Sequence, residues 1–183
     1  MNSLFSLIRR LAPLLPLLTL LVGTPRDARG EAPSESQVKG AYLYNFTKFV
    51  TWPDSAFAHE RDPFQLCLLG QDPFGAAITA LTQKTVGSHP IAIRHLTDPR
   101  ESGGCHLLFV AGSEEEKIPR ILEAIRGKPV LTVGDTPEFA SRGGMIHFTR
   151  VNDTVRFAIH QETALNAGLR IHATLLQVGH VLK

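Results

Sequence analysis

The chain has 183 residues, of which 43% are hydrophobic and 20% are charged. This composition excludes a collagen-like, mucin-like or largely disordered polypeptide and is typical of one globular domain. Four of the 19 basic residues and one of the 17 acidic residues lie in the first 30 positions, which leaves 15 basic and 16 acidic residues in the remainder. That nearly neutral remainder argues against nucleic-acid binding, which requires a basic surface.

Residues 1–30 have the pattern of a secretory signal peptide. Arg9 and Arg10 precede an apolar run over residues 11–22, and the small residues Ala28 and Gly30 fit a cleavage site. The alternative is a membrane anchor, but the run contains two prolines and is shorter than the roughly 20 residues that cross a bilayer. We therefore expect cleavage after Gly30, a single mature domain over residues 31–183, no later membrane span, and a location in the bacterial periplasm.

The mature chain begins with an aromatic-rich helix. Ser34 and Gln37 have the spacing of a capping box, and the helical pattern that follows runs over residues 38–52 before Pro53 stops it. Strand and helix patterns then alternate. Strands are predicted over residues 64–69, 90–96, 106–110 and 129–133, and helices over residues 74–81, after the capping box of Ser113 and Glu116, and from Thr136 and Pro137.

The last third combines a hairpin with a final helix. Residues 145–149 and 155–159 are strands joined at Asn152 and Asp153, and residues 169–182 have apolar side chains at helical spacing. Fully apolar strands that alternate with helices favour a mainly parallel sheet covered on both faces. We predict one Rossmann-like α/β sandwich with helices on both faces of the sheet and a C-terminal antiparallel hairpin.

Three loops that follow predicted parallel strands form a candidate ligand crevice. They span residues 70–75, 111–113 and 134–136, and the carboxyl edge of such a sheet is where α/β folds bind ligands. The first loop has the glycine spacing of a phosphate loop but lacks the Lys and Ser/Thr that should follow, so helix capping explains it better. A small neutral or cationic ligand is the alternative, and its candidate contacts are Asp72, Ser113, Asp135 and Thr136.

The sequence predicts no catalytic residue, no cofactor and no metal centre. It contains no GxSxG, HExxH or GxGxxG motif, and its eight histidines are scattered. Only two cysteines are present, Cys67 and Cys105. A single disulfide is the simplest use of them in an exported protein, and a Cys/Cys/His metal site with His106 is the weaker alternative because neither belongs to a CxxC pair.

The first helix is also the candidate partner surface. Its aromatic residues cannot all face one sheet, because Tyr44 lies about 160 to 200° around the helix from Tyr42 at 100° per residue. Aromatic side chains are common interface anchors, but the same rings also suit a core, and both interpretations stand. The candidate partner-binding residues, including two from the predicted last helix, are Tyr42, Tyr44, Lys48, Phe49, Trp52, Ile171 and Leu175.

Ordered landmarks over residues 37–181 resemble the YfiR family of exported bacterial proteins. They include the segments VKGAYLYNF from Val38, LCLLG from Leu66, CHLLF from Cys105, LTVGD from Leu131, GGMI from Gly143, VRF from Val155 and AGL from Ala167. The resemblance implies a periplasmic Rossmann-like protein without catalytic activity that represses an inner-membrane diguanylate cyclase by binding its periplasmic portion. It also implies a Cys67–Cys105 bridge, and the second bridge of some members has no cysteines here.

These observations predict a periplasmic regulatory binding protein that limits cyclic di-GMP and biofilm formation. A homodimer is a second use of the partner surface, and the bridge would make stability sensitive to redox conditions. The alternative function is a small-molecule receptor that feeds a sensor kinase from the crevice at the strand ends.

Overall fold

The computed structural model describes residues 32–182. The predicted signal peptide and its cleavage site therefore lie outside the described residues. The helices are α1 (Glu35–Phe49), α2 (Ala76–Thr79), α3 (Ile118–Ala124), α4 (Gln161–Asn166) and α5 (Ala173–Val178). The strands are β1 (Val50–Thr51), β2 (Phe64–Leu69), β3 (Thr85–Val86), β4 (His89–Leu96), β5 (Leu107–Val110), β6 (Leu131–Gly134), β7 (Ile146–Val151), β8 (Thr154–His160), β9 (Arg170–Ile171) and β10 (His180–Leu182).

The described residues form an eight-stranded mixed sheet with helices on both faces. The strand order is β10-β8-β7-β6-β5-β2-β4-β3. The run from β4 to β7 is parallel, β3 and β8 are antiparallel to their neighbours β4 and β7, and β10 is parallel to β8. A separate antiparallel pair joins β1 to β9. The α/β class and the mostly parallel sheet are confirmed.

Alternate side chains of the central strands pack into two separate hydrophobic cores, one on each face of the sheet. In β2, Leu66 and Leu68 belong to the core under α1, and Cys67 and Leu69 belong to the core under α3. Because side chains alternate across a strand, an apolar strand can bury both faces at once. The run over residues 64–69, apolar apart from Gln65, is therefore the signature of a central strand covered on both sides.

The capping box at the start of α1 is confirmed. Ser34 Oγ accepts a hydrogen bond from the Gln37 N–H at 3.3 Å, and Gln37 Oε1 accepts one from the Ser34 N–H at 2.8 Å. The end of the helix was predicted wrongly, since α1 stops at Phe49 and the chain becomes extended to pair with β9. Trp52 consequently lies beyond the helix.

The predicted last helix over residues 169–182 is wrong. Residues 170–171 pair with β1, only Ala173–Val178 is helical, and residues 180–182 add a strand to the sheet. The chain leaves α5 in an extended conformation at Gly179, where a side chain would meet the Phe157 ring at 2.6 Å. The β7–β8 hairpin is present, with Asn152 and Asp153 in the left-handed region, but four further elements follow it.

Two other helix starts also differ from prediction. Ser113 caps no helix, because its hydroxyl accepts a hydrogen bond from Gln71 N on the neighbouring loop, and α3 begins later, after a 3₁₀ segment. Thr136 and Pro137 begin a series of turns and not a helix. Within residues 32–182, no helix combines the length and apolarity that a membrane crossing requires.

Candidate functional site

The inner side of α1 packs against the β7–β8 hairpin. The rings of Tyr42 and Phe46 pack on Phe148 and Phe157 of the hairpin, with ring centroids 5.0 to 6.2 Å apart. These four rings form one mutually contacting cluster, which fixes α1 against the hairpin. Tyr42 is therefore half-buried and held by internal contacts, and its role in partner binding stays a prediction.

Phe49 and Trp52 also contact the interior. Phe49 is half-buried against the core under α1. Trp52 is 8% exposed, its indole Nε1–H donates to the carbonyl of His106 at 3.1 Å, and its ring meets Phe64 edge-on at 5.0 Å. The polar group of this buried indole is already satisfied by its backbone hydrogen bond, so only the ring surface of Trp52 that lines a neighbouring cavity is left for a partner.

Ile171 and Leu175 are buried as well. They are 8% and 5% exposed and belong to the core under α1. Ile171 pairs with Val50 in the β1–β9 ladder, and Leu175 lies on the inner side of α5. The periodicity that suggested one helical face came from residues on three different elements: Ile171 on β9, Leu175 and Val178 on α5, and Leu182 on β10.

The outer side of α1 carries an exposed stripe. The stripe consists of residues at helical spacing that are exposed or half-buried: Gln37, Ala41, Tyr44, Asn45 and Lys48. Lys48 is its only charged member, and the Lys48 ammonium lies 4.2 Å from the centre of the Tyr44 ring. Depletion of charge and an ordered aromatic residue are properties of protein interfaces. Of the predicted partner residues, Lys48 is exposed, and Tyr44 is half-buried like Tyr42 and Phe49 but lies on the outer side of the helix beside Lys48.

A surface cavity of about 470 Å³ adjoins this stripe. Lys48 belongs to both, and the rest of the lining comes from the end of α1, from β1, from Trp52 and Phe57, and from β3 with the start of β4. His89 lies on its rim, with its ring stacked on Phe57 at 3.8 Å. The stripe therefore continues into a concavity that an inserted side chain could fill.

The carboxyl edge of the sheet is closed between β2 and β5. Gly70 has a φ of +91°, and a side chain there would lie 2.5 Å from Ser113 Oγ. That hydroxyl accepts a hydrogen bond from the Gln71 N–H at 3.0 Å. The two loops thus interlock where an open crevice was predicted, and only glycine suits Gly70 on both conformational and steric grounds.

The other candidate ligand residues also have structural surroundings. Asp72 accepts a hydrogen bond from the Phe74 N–H at 2.7 Å, which is a local turn. Asp135 accepts one from Lys39 at 2.6 Å. Thr136 is 6% exposed, and its hydroxyl has no hydrogen-bond partner among the described residues. The four residues lie at one edge of the sheet as predicted, but three of them are committed to bonds within the fold.

An ion network links α1 to this edge. Lys39 contacts Glu35 at 2.7 Å and Asp135 at 2.6 Å, and Arg150 of the hairpin contacts Glu35 at 3.0 Å. Burial works to lower the pKa of Lys39, but its hydrogen bonds to the two carboxylates outweigh burial and raise it above the ordinary value. The hydrogen bond from Lys39 lowers the pKa of Glu35. The network positions the first turn of α1 over β6 and β7.

The two cysteines form a disulfide that joins β2 to the segment before β5. The Cys67 and Cys105 Cα atoms are 5.9 Å apart, and the residues are 0% and 5% exposed. The predicted bridge is confirmed, and the alternative metal site with His106 is excluded because both sulfurs are bonded. A buried bridge between neighbouring strands is a structural bond that reductants reach only after local opening.

His106, beside the bridge, is a buried histidine whose tautomer is fixed by its neighbours. Its Nδ1 accepts a hydrogen bond from the Gln65 N–H at 2.9 Å, so the proton is on Nε2, which donates to the Ala56 carbonyl at 2.9 Å. Its ring stacks between Phe57 and Phe64 at 4.3 and 5.0 Å. Burial lowers the pKa of His106, and the neutral ring acts as a structural link between two loops. Within residues 32–182, no three His, Cys, Asp or Glu residues are grouped to hold a metal ion.

The chain matches the model of the YfiR/HmsC-like family over residues 36–180. It belongs to the YfiR/HmsC-like family. The resemblance seen in the sequence is thereby confirmed, and membership indicates a periplasmic regulatory protein connected with cyclic di-GMP signalling. No curated protein matches the chain.

A similar fold occurs in the crystal structure of a conserved domain protein from Vibrio cholerae O1 biovar El Tor strain N16961. The TM-score is 0.57 at 9% sequence identity, and the match covers 82% of this chain and 60% of the other. At that identity the likeness concerns the fold alone.

Sequence reasoning missed the ion network and the role of His106. The network joins Lys39 to Asp135, 96 positions apart, and no local sequence pattern predicts such a contact. His106 gave one usable signal, since a histidine inside an apolar strand must find hydrogen-bond partners when it is buried.

Proposed function

We propose that the protein is a periplasmic repressor that holds an inner-membrane diguanylate cyclase in its inactive state by protein–protein contact. The observation that carries the proposal is the family match, which spans residues 36–180 and thus nearly all of the expected mature domain. Repression would limit cyclic di-GMP and, through it, biofilm formation. The signal peptide expected over residues 1–30 would deliver the domain to the side of the membrane where the cyclase presents its sensor portion.

The exposed stripe of α1 is the proposed contact surface. It contains Tyr44 and Lys48 of the predicted partner set, it has one charged residue, and it continues into a cavity. The four-ring cluster beneath it and the capping box at its start hold α1 rigid. A rigid surface loses little conformational entropy on binding, which favours affinity.

Repression requires a difference in affinity between two states of the cyclase. A protein that bound both states equally would leave the equilibrium unchanged, so the stripe must fit the inactive sensor portion better. The proposal assigns no reaction to the protein, since Asp72, Ser113 and Asp135 already serve bonds within the fold. The strength of repression is set by the difference in binding free energy between its complexes with the inactive and the active cyclase.

The test is complementation in a host from which the gene has been deleted. We expect deletion to raise cellular cyclic di-GMP and wild-type protein to restore it. The double variant Tyr44→Ala and Lys48→Ala should fail to restore it while reaching the periplasm in normal amount. Arg120→Ala, an exposed residue of α3 on the other face of the sheet, is the matched control and should complement fully.

Two results would contradict the proposal at different levels. Unchanged cyclic di-GMP after deletion would remove the cyclase as target, whereas full complementation by the double variant would remove only the stripe. The N-terminal residue of the periplasmic protein, read by mass spectrometry, tests cleavage after Gly30 in the same samples.

A small-molecule receptor is the second candidate, and one observation favours it. The hydroxyl of Thr136 is buried at the carboxyl edge of the sheet without a partner, and buried polar groups are usually paired. A receptor of this kind would act on a sensor kinase and leave cyclic di-GMP unchanged on deletion. The deletion experiment therefore separates the two candidates.

A further inference from the structure

One half of the sheet lacks a cover on the α3 side. The core cluster on that side contains residues of β2, β4 and β5, of α3, and Phe139, and none from β7, β8 or β10. A surface cavity of about 570 Å³ lies there. This volume is in the range of small-molecule sites.

The strand register places two histidines on this open face. His147 of β7 and His180 of β10 both pair with Ala158 of β8, the strand between them. Residues in register across neighbouring strands point to the same face, so both imidazoles lie on the side opposite Phe148 and Phe157. The small side chain of Ala158 leaves the space between the two rings open, and both line the cavity.

Arg156 completes a basic lining. It lies two positions from Ala158 on the same strand and therefore on the same face, it is exposed, and it forms no ion pair with any residue of the described chain. The cavity lining contains no carboxylate, and its remaining residues are Thr149 and the mainly apolar Val151, Phe157, Ala158, Val178, Gly179 and Leu182. A site with unpaired cationic groups and an apolar floor is complementary to an organic anion.

His147 provides the buried polar group of the site. It is 6% exposed, and its Nδ1 has no hydrogen-bond partner among residues 32–182. Gly134 is its neighbour in β6, and the Phe139 ring covers that glycine so closely that a side chain there would lie 2.1 Å from it. The imidazole is thus enclosed on the β6 side and faces β8 and β10 on the other.

We propose that this cavity binds a small organic anion, a carboxylate or phosphate carried on an apolar group, with Arg156 as the ionic contact and His147 and His180 as proton-dependent contacts. The site is separate from the exposed stripe of α1 and does not depend on the proposed repressor function. An anion bound there would favour the charged imidazoles, so binding takes up protons and strengthens as the pH falls.

The electrostatics of the empty cavity agree with this direction. Burial lowers the pKa of His147, and the nearby His180 lowers it further. The charged and titratable groups that line the cavity with His147 are His180 on β10 and Arg156 on β8, and both are basic. His160 lies on the same face of β8 as Ala158 and is hydrogen-bonded to Thr163. A ligand anion would supply the missing negative charge.

Titration calorimetry on the purified mature protein tests the site with three probes. Benzoate and phenyl phosphate carry the two candidate anions on an apolar ring, and benzamide is the neutral isostere. We expect at least one anion to bind about tenfold or more tightly than benzamide, since a charge-assisted contact is worth that factor. Benzoate alone would assign a carboxylate ligand, and phenyl phosphate alone a phosphate ligand.

Arg156→Gln should weaken anion binding about tenfold or more. Arg150→Gln is the matched control, because Arg150 lies on the same hairpin but on the opposite face, where it pairs with Glu35. Both residues are exposed, so both variants should keep the wild-type melting temperature within a few degrees. Equal weakening by the two variants would show a nonspecific charge effect and overturn the proposal, as would the absence of any preference for anions over benzamide.

The pH dependence distinguishes proton uptake from simple ion pairing. Benzoate stays ionised between pH 7.5 and 5.5, and wild-type affinity should rise about threefold or more over that interval. His180→Gln, at an exposed position, should reduce this rise. An affinity that is independent of pH in the wild type would remove the histidines from the site, and only the Arg156 contact would then be supported.

Discussion

The two halves of the sheet differ in how they are covered. The half built from β2, β5 and β6 has α1 on one face and α3 on the other, is clipped by the Cys67–Cys105 bridge, and has interlocked loops at its carboxyl edge. The half built from β7, β8 and β10 is covered on one face by α1 together with α4 and α5, and its other face is open and basic. From this difference we infer that the first half contributes most of the free energy of unfolding and that the second half retains a surface on which a ligand can bind.

The largest predicted effect is a cavity in the doubly covered half. Leu108 of β5 is fully buried under α3, and Leu108→Ala should lower the free energy of unfolding by about 2–5 kcal/mol. Thr149 of β7 points to the same side of the sheet but lies at the open cavity, and Thr149→Ala should change it by about 0.5 kcal/mol or less. If urea unfolding shows that the two variants lose equal free energy of unfolding, the two halves do not differ as proposed.

Removal of the bridge should cost nearly as much. The loop between Cys67 and Cys105 separates them by 38 positions, and its closure stabilises the fold by about 3–4 kcal/mol on the chain-entropy model. Both residues are buried, so alanine avoids the buried hydroxyl that serine would introduce. We expect the double alanine variant to melt about 10 °C lower under oxidising conditions. A melting temperature equal to that of the wild type would show that the bridge carries no stability, and with it no redox sensitivity.

The ion network between α1 and the sheet edge should have an intermediate effect. Lys39→Met leaves the partly buried Asp135 without its cation, whereas the exposed Glu35 keeps Arg150, and should lower the free energy of unfolding by about 1–2 kcal/mol. The double change Lys39→Met with Asp135→Leu should recover part of the loss, because no buried carboxylate is then left unpaired at that point. A double variant that is less stable than the single one would contradict this account of the network.

The smallest predicted effect is the dependence of stability on pH. Burial lowers the pKa of both His106 and His147, so the unfolded chain binds more protons than the folded one near the ordinary histidine pKa. The stability is fully present above that pKa and is lost as the pH falls through it toward the folded values. We expect the wild type to melt at a lower temperature at pH 5.5 than at pH 7.5, and the difference to shrink in His106→Gln.

The sequence was sufficient for the central strands and not for the periphery. The apolar run over residues 64–69 has one physical interpretation, a strand buried on both faces, and it was predicted to the residue. Ile171 and Leu175 had the spacing of one helical face, but pairing with β1 placed the first in a strand and left only a short helix around the second. Local periodicity cannot reveal a pairing with residues 120 positions away.

The candidate sites follow the same rule. The strand pattern predicted that the loops after β2, β5 and β6 lie at one edge of the sheet. The contact between Gly70 and Ser113 that closes this edge could not be predicted, because it depends on side-chain packing between two loops. The split of α1 into an inner face with Tyr42 and an outer face with Tyr44 was implied by helix geometry. Which face was outer became known only when the hairpin covered Tyr42.

Direct binding between the mature protein and the periplasmic portion of the host's diguanylate cyclase tests the central claim most closely. Calorimetry should detect a complex with the wild type and with Arg120→Ala, and a loss of affinity of about tenfold or more when Tyr44 and Lys48 are both alanine. The claim that this protein acts by binding the cyclase would be contradicted if the wild type formed no complex with that sensor portion while both partners are folded.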